Sequence, residues 1–154
     1  MPALADDVTA QHPIVLFDGV CNLCAKSVQF VIRNDRAGVF RFASLQSVTA
    51  QKILRATHHE HTALTSVLLL VDGRLYRKSE AALQICRRLD RAWPALYYLF
   101  AWVPVRLADK VYDYIGARRY RWFGKKDACW IPSAELATRF VDVQGDASTR
   151  IDAA

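Results

Sequence analysis

The pattern of apolar and polar positions divides the chain into short elements. Residues 14–17, Ile-Val-Leu-Phe, form a continuous apolar run with β-branched members, as in a strand covered on both faces. After Asp18-Gly19, apolar positions recur at Cys24, Val28, Val31 and Ile32, which predicts a helix stopping among the turn residues of 34–38. Phe40-Arg41-Phe42-Ala43 alternates and predicts a second strand, and residues 48–56 have the spacing of a short helix. Residues 66–71, SVLLLV, predict a third, buried strand. Asp72-Gly73 is a tight hairpin signal, and residues 74–78 alternate as an edge strand does. Ser79 is placed to cap a helix reaching about Leu89, with Ala82, Ile85, Cys86 and Leu89 along one face.

A strand–helix–strand start implies a parallel pair with a right-handed crossover. The full order β-α-β-α-β-β-α, with an antiparallel hairpin before the last helix, predicts an α/β chain with a thioredoxin-like core and extra C-terminal helices. The core is expected over residues 13–91. Trp93-Pro94 opens a nearly all-apolar piece closed by Pro104, and proline in a first helical turn marks a start. A further helix is expected from Val105 to about Arg119, with Leu107, Ala108, Val111, Tyr112 and Ile115 on one stripe. These features predict a buried helix pair that covers the sheet or lengthens a substrate groove. The Trp and Tyr residues beside Arg106 would also suit a membrane surface. Residues 1–12 read as a flexible arm, 13–133 as a single thioredoxin-like domain with its helical extension over 93–133, and 134–154 as a partly disordered tail.

Composition narrows the class. Hydrophobic residues make up 53% of the 154 positions and charged residues 23%, so a folded globular chain is expected. No run reaches the roughly 18 apolar residues of a spanning helix. The first residues carry two acids and no apolar signal core, which makes the reducing cytoplasm the expected compartment. There the four cysteines point to catalysis, metal binding or simple burial rather than a disulfide framework. The net charge of +6 peaks in the basic, aromatic-rich run 118–126. Such a run could touch RNA or phosphates. A helix end with basic residues near its C-terminus and aromatics packed inward is the expected reading, and no nucleic-acid partner is expected.

Residues 17–24, FDGVCNLC, carry the candidate chemistry. Cysteines at i and i+3 in a first helical turn lie on one face, at a separation that a disulfide tolerates. A thiolate at Cys21 would gain from the free N–H groups and positive end of the helix, whereas Cys24 would be shielded one turn inside. That division suits an attacking Cys21 and a resolving Cys24. A zinc site would need further ligands, and His58-His59-Glu60-His61 has no finger or ribbon spacing, so no metal is expected. Two small core cysteines are the plainest alternative. Asp18, at the end of the first strand, is placed either to accept the Cys24 proton or to accept backbone N–H bonds and shape the loop. Cys86 is expected in the core, and Cys129 as a partly buried structural residue.

FDGVCNLC together with Arg41-Phe-Ala-Ser-Leu-Gln46 resembles the DCC family of thiol-disulfide oxidoreductases, named for the Asp and two Cys matched here by Asp18, Cys21 and Cys24. Val111-Tyr112-Asp113, residues 119–124 (RYRWFG), Cys129 and Pro132 also resemble its C-terminal half. The resemblance covers about 13–133 and implies a thioredoxin-like fold with a redox dithiol and no bound cofactor. The implied partners are a thiol or disulfide substrate and a separate reductant. Val20, Asn22 and Leu23 around the dithiol are expected substrate contacts. Thioredoxin-like enzymes usually carry a cis-proline before the third strand; residues 62–67 contain no proline, which leaves Thr65 or Ser66 in that place.

Overall fold

A computed structural model describes residues 12–18, 22–59, 67–124 and 137–140. The elements are β1 (Ile14–Phe17), α1 (Asn22–Asn34), β2 (Arg41–Ser44), α2 (Val48–Ala56), β3 (Leu68–Val71), β4 (Arg74–Arg77), α3 (Lys78–Arg88), α4 (Trp93–Phe100) and α5 (Val105–Phe123). The strands form one sheet in the order β2-β1-β3-β4. β1 and β2 are parallel, with Val15 opposite Phe42, while β3 runs antiparallel to both β1 and β4. This is the predicted thioredoxin-like α/β arrangement, with β4 on the edge. Asp72 and Gly73 both have positive φ, 49° and 77°, the backbone of a type I′ hairpin turn.

The side-chain alternation of β1 explains its continuous apolar run. Val15 and Phe17 face a layer formed by α1 and α3, where they meet Cys24, Val28, Val31, Ala81 and Ile85. Ile14 and Leu16 face α2, against Ala50, Ile53 and Leu54. With both faces covered, no polar position is tolerated in the strand. Phe140 enters the first layer, its ring edge-on to Phe17 and tilted on Phe42 at 5.4 Å. The neighbouring Arg139 pairs with the buried Asp35, whose carboxylate also accepts the N–H groups of Val39 and Phe40.

Three expectations change in the helices. Ser79 does not cap α3; its hydroxyl donates to Asp109 on α5, and the cap position is Arg77, without a side-chain cap bond. The inward residues of α3 are Ala81 and Ile85, followed by Leu89, while Ala82 is exposed and Cys86 only half-buried. The C-terminal helix pair is not a buried pair. α4 buries no residue, and Arg119 is the only one buried on α5. Leu107, Val111 and Ile115 of the expected stripe are exposed. α5 instead docks through Asp109, which accepts from Ser79; Tyr112, whose hydroxyl oxygen accepts the Val67 N–H at 3.0 Å; and Arg119. These positions share one helical face by spacing; it contains Tyr112 of the expected stripe, with Asp109 and Arg119 in place of Leu107 and Val111. Trp93 anchors α4 to α1, edge-on to Phe30 and donating to Asn34.

Candidate functional site

The site lies at the C-terminal ends of β1 and β2. Their parallel register places Phe17 beside Ser44, and the Leu45 N–H bonds the Phe17 carbonyl at 2.8 Å. Asp18 and Gln46, one residue further along on each side, therefore meet. Gln46 Nε2 donates to Asp18 Oδ1 at 2.8 Å, while the Gln46 amide oxygen accepts from the Ser44 hydroxyl.

The last turns of α5 supply the other donors. Arg119 Nη2 lies 3.2 Å from Asp18 Oδ2, and both side chains are almost fully buried. The Tyr120 hydroxyl donates to the same oxygen at 2.5 Å and accepts from Arg119 Nη2 at 3.0 Å. Burial, and then the bond to Asp18, push the Tyr120 phenol above its usual range. Three side chains, Gln46, Arg119 and Tyr120, thus converge on Asp18, while the turn residues 19–21 lie outside the described residues.

The same end of α5 holds the start of α1. Asn22 Nδ2 donates to the Phe123 carbonyl at 2.7 Å, and the Asn22 N–H approaches the Gly124 carbonyl at 3.5 Å. Gly124 ends α5 with φ +82°, and a Cβ there would come within 3.0 Å of Asn22 Nδ2. Asp18 and Asn22, which flank residues 19–21, are both tied to one helix terminus. Cys21 and Val20 lie outside the described residues, as do Thr65, Ser66 and Cys129.

Cys24 is buried on α1 and lines a predominantly apolar cavity of about 470 Å³ between α1, α3 and α5. Leu23, Phe30, Ile85, Cys86 and Tyr112 contribute to its wall. Burial raises both the Cys86 thiol and the Tyr112 phenol above their ordinary values. Asn22, an expected substrate contact, has its amide turned to the α5 terminus, whereas Leu23 faces the cavity.

Gln46, Tyr112, Arg119 and Tyr120 were not among the candidate site residues. Their signal was membership in the stretches 41–46, 111–113 and 119–124 that carried the resemblance; nothing local linked them to Asp18. The basic run also reverses expectation. Arg119 turns inward, while Tyr120, Trp122 and Phe123 are 38%, 52% and 39% exposed.

Fold and site together are those of a thioredoxin-like α/β protein with a carboxylate-centred cluster behind the start of its first helix. The chain belongs to the DCC1-like thiol-disulfide oxidoreductase family, whose family model matches residues 15–125. It is 43% identical over 128 residues to the uncharacterized protein YuxK of Bacillus subtilis (strain 168), covering 83% of this chain and 93% of that one. It is 39% identical over 119 residues to a chloroplastic DCC family protein of Arabidopsis thaliana, covering 77% of this chain and 69% of that one. No solved structure matches the chain. Membership supports a thiol-disulfide oxidoreductase role.

Proposed function

We propose that the chain is a thiol-disulfide oxidoreductase working through a Cys21–Cys24 dithiol. The Cys21 thiolate attacks one sulfur of a substrate disulfide, forming a mixed disulfide and releasing the first substrate thiolate, which takes up a proton. Cys24 then gives up its proton and attacks the Cys21 sulfur. The second substrate thiol leaves, and a Cys21–Cys24 disulfide remains. A separate dithiol reductant restores the pair. Asp18 is the proposed acceptor for the Cys24 proton, directly or through a water, and no bound cofactor or metal takes part. Val20, Leu23, Thr65 and Ser66 are the proposed substrate contacts, and the cytoplasm the proposed setting.

The observation that carries this reading is the burial of Cys24 on α1, whose first residue Asn22 is fastened, like Asp18, to the end of α5. A shielded second cysteine suits resolution rather than first attack. Alkylation of the protein equilibrated across a glutathione redox series is the test. One two-electron transition, lost in both Cys21→Ser and Cys24→Ser, is expected, and the absence of a reversible disulfide rejects the proposal. Asp18→Asn should slow exchange across about pH 6–9; unchanged rates would remove Asp18 from proton transfer.

A further inference from the structure

Exposed apolar surface is concentrated on one part of the fold. Of thirteen exposed large hydrophobic residues among those described, twelve lie between Tyr98 and Phe123. Exposure is greatest around the turn that joins α4 to α5, where Leu99 is 67%, Trp102 90% and Leu107 56% exposed. Apolar exposure concentrated in this way marks an interaction site.

The charge around that turn has one sign. Residues 91–108 contain Arg91 and Arg106 and no acid. Of the next two acids, Asp109 accepts from Ser79, and Asp113, itself exposed, is paired with Lys78. Lys110 and Arg121 are exposed further along α5, and the Arg118 guanidinium lies 3.8 Å from the Tyr114 ring centroid.

We propose that the α4–α5 hairpin docks on an anionic lipid surface. Leu99, Trp102, Val105 and Leu107 enter the boundary between headgroups and acyl chains, and Arg106 and Lys110 meet lipid phosphates. Trp and Tyr interleaved with Arg and Lys are the side chains that settle at that boundary. The contact is interfacial: among the described residues no helix is long and apolar enough to cross a membrane, and an α4 of 8 residues rises only about 12 Å. A second copy fits less well, because a two-fold interface would set this basic patch against its own copy. Arg106 is about 20 Å along α5 from Arg119, so docking leaves the Asp18 cluster uncovered. This inference does not depend on the redox proposal.

The test uses the full chain with sedimented vesicles of phosphatidylcholine alone or with about 30% phosphatidylglycerol. Partitioning at least about tenfold stronger on the anionic vesicles, weakened by salt and accompanied by a blue shift of tryptophan emission, is expected. Trp102→Ala and Arg106→Glu should each weaken it about tenfold while circular dichroism and thiol-disulfide exchange in solution stay unchanged. Absence of anionic-vesicle binding overturns the inference, as does binding equal in wild type and both variants. A dimer in solution that Trp102→Glu dissociates would assign the surface to a second copy and also overturn it. Exchange measured without vesicles keeps these outcomes separate from the fate of the redox reading.

Discussion

The Asp18 carboxylate at the end of β1 and the Arg119 guanidinium on α5, 101 residues apart in sequence, form a buried ion pair at 3.2 Å. Removing two charges from water is costly, and their attraction offsets that cost only when further hydrogen bonds satisfy the groups. Gln46 and Tyr120 provide them for Asp18. The pair acts as a registration device. It fixes the last turns of α5 against β1, and that helix end in turn holds Asn22 at the start of α1.

Breaking one half of the pair should cost more than replacing both. Asp18→Ala or Arg119→Ala alone is expected to lower unfolding free energy by about 3–5 kcal/mol, because each leaves the other charge buried. The paired change Asp18→Leu with Arg119→Met should lose less than the sum of the two single changes. Urea unfolding in a double-mutant cycle measures the difference, and strict additivity would show that the two side chains are not coupled.

Alkaline pH should weaken the fold through the tyrosines. Tyr112 and Tyr120 titrate above the ordinary phenol value of about 10 when folded. Above that value the unfolded chain loses these protons first and binds fewer than the native state. Their contribution to stability is therefore complete below about pH 10 and is lost as pH rises through the folded values. Tyr120→Phe should shallow this fall and cost about 1 kcal/mol at neutral pH from the lost bond to Asp18. Denaturant unfolding at a series of pH values reads both effects.

Gly124→Ala should destabilise the joint between α5 and α1. The backbone there has φ +82°, and the added Cβ would press on Asn22 Nδ2 at 3.0 Å. A loss of about 1–2 kcal/mol is expected, with a matching fall in thermal midpoint. Asn22→Ala in the same background should cost less than it does in the wild type, since the shared contact is already strained.

Cys86 should be a slow thiol. Burial raises its pKa and keeps it protonated near neutral pH. Iodoacetamide should modify it in the native protein at least about tenfold more slowly than in the unfolded chain. Cys86→Ala should leave the glutathione redox transition in place, whereas loss of that transition would make Cys86 part of the redox centre.

Elements whose burial follows from local pattern were readable from sequence. β1 and α2 appear at their expected bounds, and the Asp72-Gly73 hairpin forms where its turn residues require it. The order of elements was enough to give the thioredoxin-like arrangement, because parallel crossovers and tight hairpins leave few alternatives. The helical extension was read less well. Of the stripe expected on α5, Tyr112 docks, while Leu107, Val111 and Ile115 are exposed. Hydrophobicity alone gave no sign that Asp109 and Arg119 would face the core side with it.

The sequence by itself determined the strands and helices of the core, the D-x-x-C-x-x-C placement behind β1 and the family resemblance, since each depends on neighbours within a few residues. Only the tertiary structure decided that Asp18 meets Gln46, Arg119 and Tyr120, and that Tyr98, Phe100, Trp122 and Phe123 stay in solvent. Those outcomes depend on partners 28 to 102 residues away. Satisfying buried polar groups there outweighed burying an apolar stripe.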